Sequence, residues 1–293
     1  MRPPEVRGDY PFTDNDFQNI AKLARASFGL HLELCKKQLV YSRLSRRLRI
    51  LGLETFEDYC DVLQGPTGEK EQREMLSALT TNVTQFFREK HHFDHLRSSV
   101  LPSLLQRLKA GGRVRIWSAG CSAGQEAYSL ALTVLELCSD VSRYDLRILA
   151  TDVDPAILQR AVRGRYPSAE LSAIPSSVRQ SHTQSDGETF TIGPAARKLI
   201  SFGELNLMNN WPIKGPFDII LCRNVAIYFD GATQAKLWKR FADVLAPDGH
   251  LMIGHSERLS GPATVILQNC GVTSYQKKSG RAATAGQVKE AAR

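Results

Sequence analysis

Three polar features stand at the ends of three apolar runs. Ile116-Trp117-Ser118-Ala119 leads into Gly120-Cys121-Ser122-Ala123-Gly124 and then Gln125-Glu126-Ala127-Tyr128-Ser129: a strand, a small-residue turn and the start of a helix. Gly120 and Gly124 have no Cβ, so backbone can come close to a ligand, and the following helix aims its N-terminal N–H groups at the same place. The run 146–151 ends in Asp152, an acid placed to accept hydrogen bonds from both hydroxyls of a ribose. Taken alone, Asp152 also reads as a helix N-cap before Pro155, a job open to Asp154 as well. The run 217–222 ends in Arg223-Asn224. Ligands of doubly wound sheets sit outside the carboxyl ends of the strands, where Gly120, Asp152 and Asn224 converge. The turn departs from G-x-G-x-x-G, because Cys121-Ser122 follow Gly120 and Gly124 falls at another spacing. S-adenosylmethionine is therefore favoured over a nicotinamide cofactor.

The elements that must position these residues fall into two parts. Up to about residue 100 the periodicity is helical. Phe17, Ile20, Leu23 and Ala24 share a face, with Thr13 or Asp14 as N-cap. Leu39, Val40, Leu44, Leu48 and Leu51 mark a second helix over 38–51, stopped by Gly52; Thr55 opens a third. Gly65-Pro66-Thr67-Gly68 is a turn, and a fourth helix covers 71–79. Beyond about 100 the pattern alternates strand and helix, as in a parallel sheet. Strands are expected near 113–119, 146–151, 199–203, 217–222 and 249–254, and helices near 124–138, 154–163 and 231–245. Pro247-Asp248-Gly249 reads as a turn before the last strand. Residues 164–196 interrupt the alternation with prolines, Asp186-Gly187 and Thr189-Phe190-Thr191-Ile192, which predicts a small insertion containing a hairpin. The expected fold is α/β, a doubly wound sheet of the kind that binds S-adenosylmethionine, with an N-terminal all-helical domain and a small antiparallel β insertion. The expected division is 1–90, 91–278 with the 164–196 insertion, and a flexible tail over 279–293, where no apolar face remains.

Composition narrows the partners. The chain has 293 residues, 42% hydrophobic, and a net charge of +8, which favours an acidic partner: nucleic acid, an anionic membrane surface or an acidic protein. No signal-peptide pattern and no apolar run near ~20 residues is present, so a cytoplasmic protein without membrane insertion is expected. The six cysteines show no C-x-x-C spacing and read as reduced thiols. His91, His92 and His95 resemble a metal cluster, but no acid or cysteine completes the shell at suitable spacing, so no metal is expected.

The chain resembles the chemotaxis receptor methyltransferases, the CheR family. The motifs carrying this are Tyr41-Ser42-Arg43-Leu44-Ser45-Arg46-Arg47-Leu48-Arg49, Leu79-Thr80-Thr81-Asn82-Val83-Thr84-Gln85-Phe86-Phe87-Arg88-Glu89 and the glycine turn. Ala150-Thr151-Asp152-Val153-Asp154, Cys222-Arg223-Asn224-Val225-Ala226-Ile227-Tyr228-Phe229-Asp230 and Gly254-His255-Ser256-Glu257 complete them. They span nearly the whole chain. The resemblance implies methyl transfer from S-adenosylmethionine to glutamate side chains on the cytoplasmic helical bundle of methyl-accepting chemoreceptors. The products are glutamyl methyl esters and S-adenosylhomocysteine. It implies cofactor contacts at Asn82, Thr84, Arg88, Glu126, Asp152, Asn206, Leu207, Arg223 and Asn224, beside the Gly120 contact read from the turn. It makes the 1–90 segment a receptor-recognition domain with its linker. It also makes the insertion a β-subdomain that grips a C-terminal receptor peptide in some members. Here the insertion is short with few basic residues around 182–191, which argues against such tethering and for direct recognition of the bundle. A monomer is expected.

Carboxylate methylation needs no strong base, since glutamate is already ionised near neutral pH. Alignment of oxygen, methyl and sulfur does the work. Arg88 is the candidate to hold a carboxylate, of the cofactor's methionine moiety or of the incoming glutamate, and Tyr228 to orient the substrate oxygen. Glu126, near a helix N-terminus, suits the cofactor's ammonium and also fits as an ordinary first-turn acid. His255 follows the last strand and reads as a support of the pocket. Arg43, Arg46, Arg47 and Arg49, with Lys36 and Lys37, form a cationic stripe with no acid between Lys36 and Leu53, assigned to an acidic receptor bundle. No aromatic platform for stacking bases lies near it, so nucleic acid is not expected. The rival readings are an RNA or small-molecule methyltransferase on the same fold, and a non-catalytic receptor-binding module.

Overall fold

The computed structural model describes residues 9–66, 68–80 and 83–279. Its first part is a helical bundle of α1 (Asp14–Phe28), α2 (Lys37–Leu51), α3 (Phe56–Gln64) and α4 (Gly68–Leu79). Local signals set the ends. Thr13 accepts the Asp16 N–H at 3.1 Å while the Asp16 carboxylate accepts the Thr13 N–H at 2.8 Å, a closed capping box. Gly52 ends α2 with φ 68°. Thr55 caps α3 through the Asp58 N–H. The fourth helix starts at Gly68, a turn earlier than its apolar pattern predicts. Ile20, Leu44, Leu48, Tyr59 and Met75 are fully buried between these helices.

The second part opens with α5 (Lys90–His95), which runs through a single wide helical turn into α6 (Leu101–Lys109). There follow β1 (Arg113–Ala119), α7 (Gln125–Leu137), β2 (Asp145–Asp152) and α8 (Pro155–Arg163). The insertion holds β3 (Arg165–Pro167), α9 (Ser176–His182), β4 (Thr183–Ser185), β5 (Thr189–Ile192) and α10 (Pro194–Arg197). The main fold resumes with β6 (Ile200–Glu204), β7 (Phe217–Cys222), α11 (Gly231–Val244), β8 (Leu245–Ile253), α12 (Ala263–Ile266), β9 (Leu267–Gly271) and β10 (Ser274–Lys277).

One seven-stranded sheet runs β6-β2-β1-β7-β8-β10-β9. Pairings from β6 to β8 are parallel, whereas β10 is antiparallel to both β8 and β9. Strand order therefore reverses between β1 and β7, and the crevice above their carboxyl ends is where such sheets bind ligands. Alternation along β1 sends Ile116 to the core layer shared with α7, and Trp117 to the layer holding Trp238 and Phe241. The edge hairpin β9–β10 goes beyond the five strands expected. Pro247-Asp248-Gly249 is not a turn before the last strand: it lies inside β8, where Asp248 takes φ 60° and the register against β7 shifts. The insertion forms its own antiparallel sheet, β3-β5-β4. It is docked beneath the glycine turn, with the Tyr166 hydroxyl donating to the Ala123 carbonyl at 2.7 Å.

The two parts meet over the crevice. The His31 N–H donates to the Tyr228 carbonyl at 2.7 Å, beside an isolated bridge between Leu30 and Phe229. Asn206 donates its side-chain amide to the Ser27 carbonyl at 2.7 Å, and Arg73 pairs with Glu204 at 3.2 Å.

Candidate active site

The loop 120–124 turns sharply because Gly120, Ser122 and Gly124 all take positive φ, 84°, 49° and 94°. Its first two N–H groups, from Gly120 and Cys121, both donate to the Thr151 carbonyl, at 2.8 and 2.9 Å. The Ser122 N–H donates to the Asp152 carboxylate at 2.8 Å, and the Asp154 N–H to its other oxygen at 3.1 Å. Asp154, not Asp152, caps α8, accepting from Ala156 at 2.8 Å and Ile157 at 3.3 Å. Asp152 thus stays at the strand end facing the crevice, with lone pairs beyond those two bonds. Burial pushes its carboxyl up, and the Asp154 and Ser122 N–H bonds oppose that.

The two glycines do different work. A Cβ on Gly124 would lie 2.9 Å from the Ala161 Cβ, so its missing side chain lets α7 pack on α8 rather than admit a ligand. A Cβ on Gly120 would collide with Val225, while the backbone of Gly120 does face the crevice.

The crevice is a cavity of about 500 Å³. Of the residues assigned from sequence, Thr84, Arg88, Gly120, Glu126, Asp152, Asn206, Leu207, Arg223, Asn224 and Tyr228 all border it. Asn82 lies outside the described residues. Phe28, Leu30 and Leu76 of the helical part, with Val153, Leu205 and Phe229, supply apolar walls suited to a flat heteroaromatic ring. Arg88 donates one N–H to the Val83 carbonyl at 2.9 Å and has further donors in its fork.

Beneath lies a buried ionic cluster. Arg223, its side chain 2% exposed, stands between Glu89 at 3.2 Å and Glu126 at 3.1 Å, and also donates to the Arg88 carbonyl. Glu126 further accepts the Ser118 hydroxyl at 2.6 Å. Burial raises the Glu126 carboxyl, while Arg223 pulls it back. Burial also acts upward on Glu89, but Arg223 and His255, whose Nδ1 lies 2.9 Å away, bring it down to about 2. Two carboxylates against one guanidinium give the floor a net negative charge, suited to a cation in the cavity. Arg223 and Glu126, read from sequence as direct contacts, are therefore first of all partners of each other.

Two residues of this site carried no role in the sequence reading. Glu89 takes φ 56° beside Phe87 at 53°, a strained pair held by the cluster and by the Phe87 N–H donating to the Ser129 hydroxyl at 2.9 Å. Its adjacency to Arg88 was the available signal. Glu257, its residue 3% exposed, gathers N–H groups of Gly254, Asn224 (3.2 Å), Val225 (3.0 Å) and Ile227 (3.2 Å). It shapes the loop that carries Asn224, at φ 59°, and Tyr228. An acid just after the last parallel strand was the clue.

The cationic stripe of α2 divides. Arg47 is spent on a bidentate pair with Glu71 at 2.9 and 2.7 Å, plus Glu74 at 3.1 Å. Arg43 donates to the Leu79 carbonyl at 2.6 Å, at the end of α4. Lys37 pairs with Asp14 at 2.7 Å. The partners missing along α2 itself come from α1 and α4, so Arg47 belongs to the bundle's interior rather than to a docking face. Lys36, Arg46 and Arg49 are exposed, with Arg49 3.9 Å from Asp9.

Comparison with known proteins agrees with this layout. A family model described as CheR methyltransferase, SAM binding domain, matches residues 82–275, and one described as CheR methyltransferase, all-alpha domain, matches 15–80. The chain is 53% identical over 252 residues to a probable chemotaxis protein methyltransferase of Rhizobium etli, covering 85% of this chain and 94% of that one. It is 38% identical to chemotaxis protein methyltransferase 2 of Pseudomonas aeruginosa, covering 91% and 94%. It is 36% identical to the chemotaxis protein methyltransferase of Escherichia coli, covering 85% and 86%. Among the described residues no helix is long and apolar enough to cross a membrane.

Proposed function

Because the chain belongs to the CheR methyltransferase family, with S-adenosylmethionine as its cofactor, we propose that it methylates glutamate side chains on the cytoplasmic helical bundle of chemoreceptors, forming glutamyl methyl esters. The observation that carries this reading is the cavity between the helical bundle and the sheet, walled by both and floored by a net negative cluster.

When bound, S-adenosylmethionine supplies an electrophilic methyl group on a sulfonium. Asp152 would hold the ribose hydroxyls, the apolar walls the adenine, and Asn206, Leu207, Thr84 and Asn82 the remaining contacts. Gly120 and Asn224 would approach through backbone and loop. The negative charge of Glu89 and Glu126, only part-neutralised by Arg223, would face the ammonium and sulfonium. Arg88 would clamp a carboxylate, orienting either the methionine moiety or the incoming glutamate. Tyr228 would align the substrate oxygen for in-line attack. The apolar walls exclude water, which strengthens each of these contacts.

Recognition falls to the exposed part of the α2 stripe, Arg46 and Arg49, meeting an acidic bundle directly. In the insertion, Arg165 on β3 is already paired at 2.6 Å with Asp186 in the β4–β5 turn, which supports docking without a tethered peptide. The chain would act as a monomer in the cytoplasm.

The test is transfer of radiolabelled methyl from S-adenosylmethionine to a chemoreceptor cytoplasmic fragment, followed by mild base. Label released as methanol is the expected result. Cofactor binding with no label on any receptor fragment, and label on RNA or a metabolite, would overturn the substrate assignment.

A further inference from the structure

Two groups of potential metal ligands occur among the described residues. One, Glu89 with His91 and His92, shares Glu89 with Arg223, whose positive charge opposes a second cation. The other is His95, His250 and Cys270, whose ligand atoms all lie within 4.8 Å of one another. It stands on three elements: α5, the parallel strand β8 and the edge strand β9. Side chains from β8 and β9 meet across the intervening strand β10, and the His95 Nε2 reaches 3.9 Å from the Cys270 Sγ. The His95 and His250 rings lie 6.2 Å apart, edge to face.

From this geometry we infer that His95, His250 and Cys270 form a binding site for a borderline-soft divalent cation, zinc above all. Two imidazoles and one thiolate are a donor set that suits zinc and excludes magnesium or calcium. Bond lengths of about 2.0–2.1 Å to nitrogen and about 2.3 Å to sulfur put tetrahedral ligand atoms about 3.4–3.6 Å apart, so modest closure completes the coordination. All three residues are partly exposed, which leaves an entry path and a fourth position for water. The ion would staple α5, which begins directly after Arg88-Glu89, to the edge hairpin β9–β10. This site is separate from the methyl-transfer cavity, whose lining contains none of the three.

Cobalt titration of the full chain tests it, read by thiolate-to-metal charge transfer and the visible bands of tetrahedral cobalt, followed by zinc competition against a chromogenic chelator. The expected result is a one-to-one complex with both signatures. Cys270→Ser should abolish the charge-transfer band, and His95→Gln and His250→Gln should each weaken zinc at least tenfold. Cys35→Ser, removing the exposed thiol, should change nothing. Failure of the wild-type chain to develop the tetrahedral spectrum overturns the site with no variant involved. So does a spectrum that survives Cys270→Ser, or one that Cys35→Ser removes.

Discussion

At the scale of single residues, the site depends on carboxylates that organise backbone as much as on those that would touch ligand. Asp152 does both, accepting the Ser122 and Asp154 N–H groups while facing the cavity. Asp152→Ala should weaken S-adenosylhomocysteine binding by about 1–3 kcal/mol, through lost charge-assisted hydrogen bonds. Unchanged affinity by calorimetry would remove Asp152 from the site. Glu257 never needs to meet a ligand, yet its carboxylate satisfies N–H groups of Gly254, Asn224, Val225 and Ile227. Glu257→Ala orphans them in a buried turn, so urea unfolding should report a loss of roughly 2–4 kcal/mol, with cofactor affinity falling alongside. Asp152 was readable from its place at a strand end, whereas the task of Glu257 was not. Besides Gly254, its donors come from a loop about thirty residues earlier, which only the parallel pairing of β7 with β8 brings beside it.

At the scale of elements, α2 shows why a charge run cannot be apportioned by spacing alone. Periodicity identified the buried face of Val40, Leu44 and Leu48, although Leu39 and Leu51, read as part of it, are exposed. It could not tell which arginines point to α4. Arg47→Ala would strand Glu71, which otherwise is shared with the Tyr59 hydroxyl at 2.9 Å. The helical bundle should then lose about 3–5 kcal/mol in denaturant titration. Reversing the exposed pair, Arg46→Glu with Arg49→Glu, should leave stability and cofactor affinity intact and cut receptor methylation at least tenfold. Equal loss of cofactor affinity would mean that these arginines support the fold and do not select the substrate.

At the scale of the whole molecule, the buried His92 and the part-buried His250 tie stability to pH. Burial first, then Arg223, lowers His92 from the ordinary 6.5 to about 3, and burial lowers His250 to about 4. The unfolded chain takes up these protons below about pH 6.5 and the folded chain does not, so stability falls as pH drops through that range. The slope is at most roughly 1.4 kcal/mol per pH unit for each proton. Glu89 adds a further loss below its ordinary 4.5, as pH falls towards about 2. Urea midpoints measured from pH 7 to 4 should therefore decline steadily, and His92→Gln should flatten that decline. A midpoint independent of pH would mean that His92 is protonated in the folded state.

What the sequence by itself determined was most of what neighbours along the chain govern, Pro247-Asp248-Gly249 inside β8 being an exception. The caps at Thr13, Gly52 and Thr55, the strand and helix periods, and the turn at Gly120 all follow from a few consecutive residues. So does the arrival of Asp152 and Asn224 at carboxyl strand ends, because doubly wound sheets put those ends on one edge. Only the tertiary structure decided how charges were shared. Arg223 lies between Glu89 and Glu126, Arg47 faces Glu71, and Gly124 admits Ala161 rather than a ligand. An ion pair or a close contact is a fact about distance in space. The residues concerned are brought together by strand order and helix packing, which no local pattern encodes.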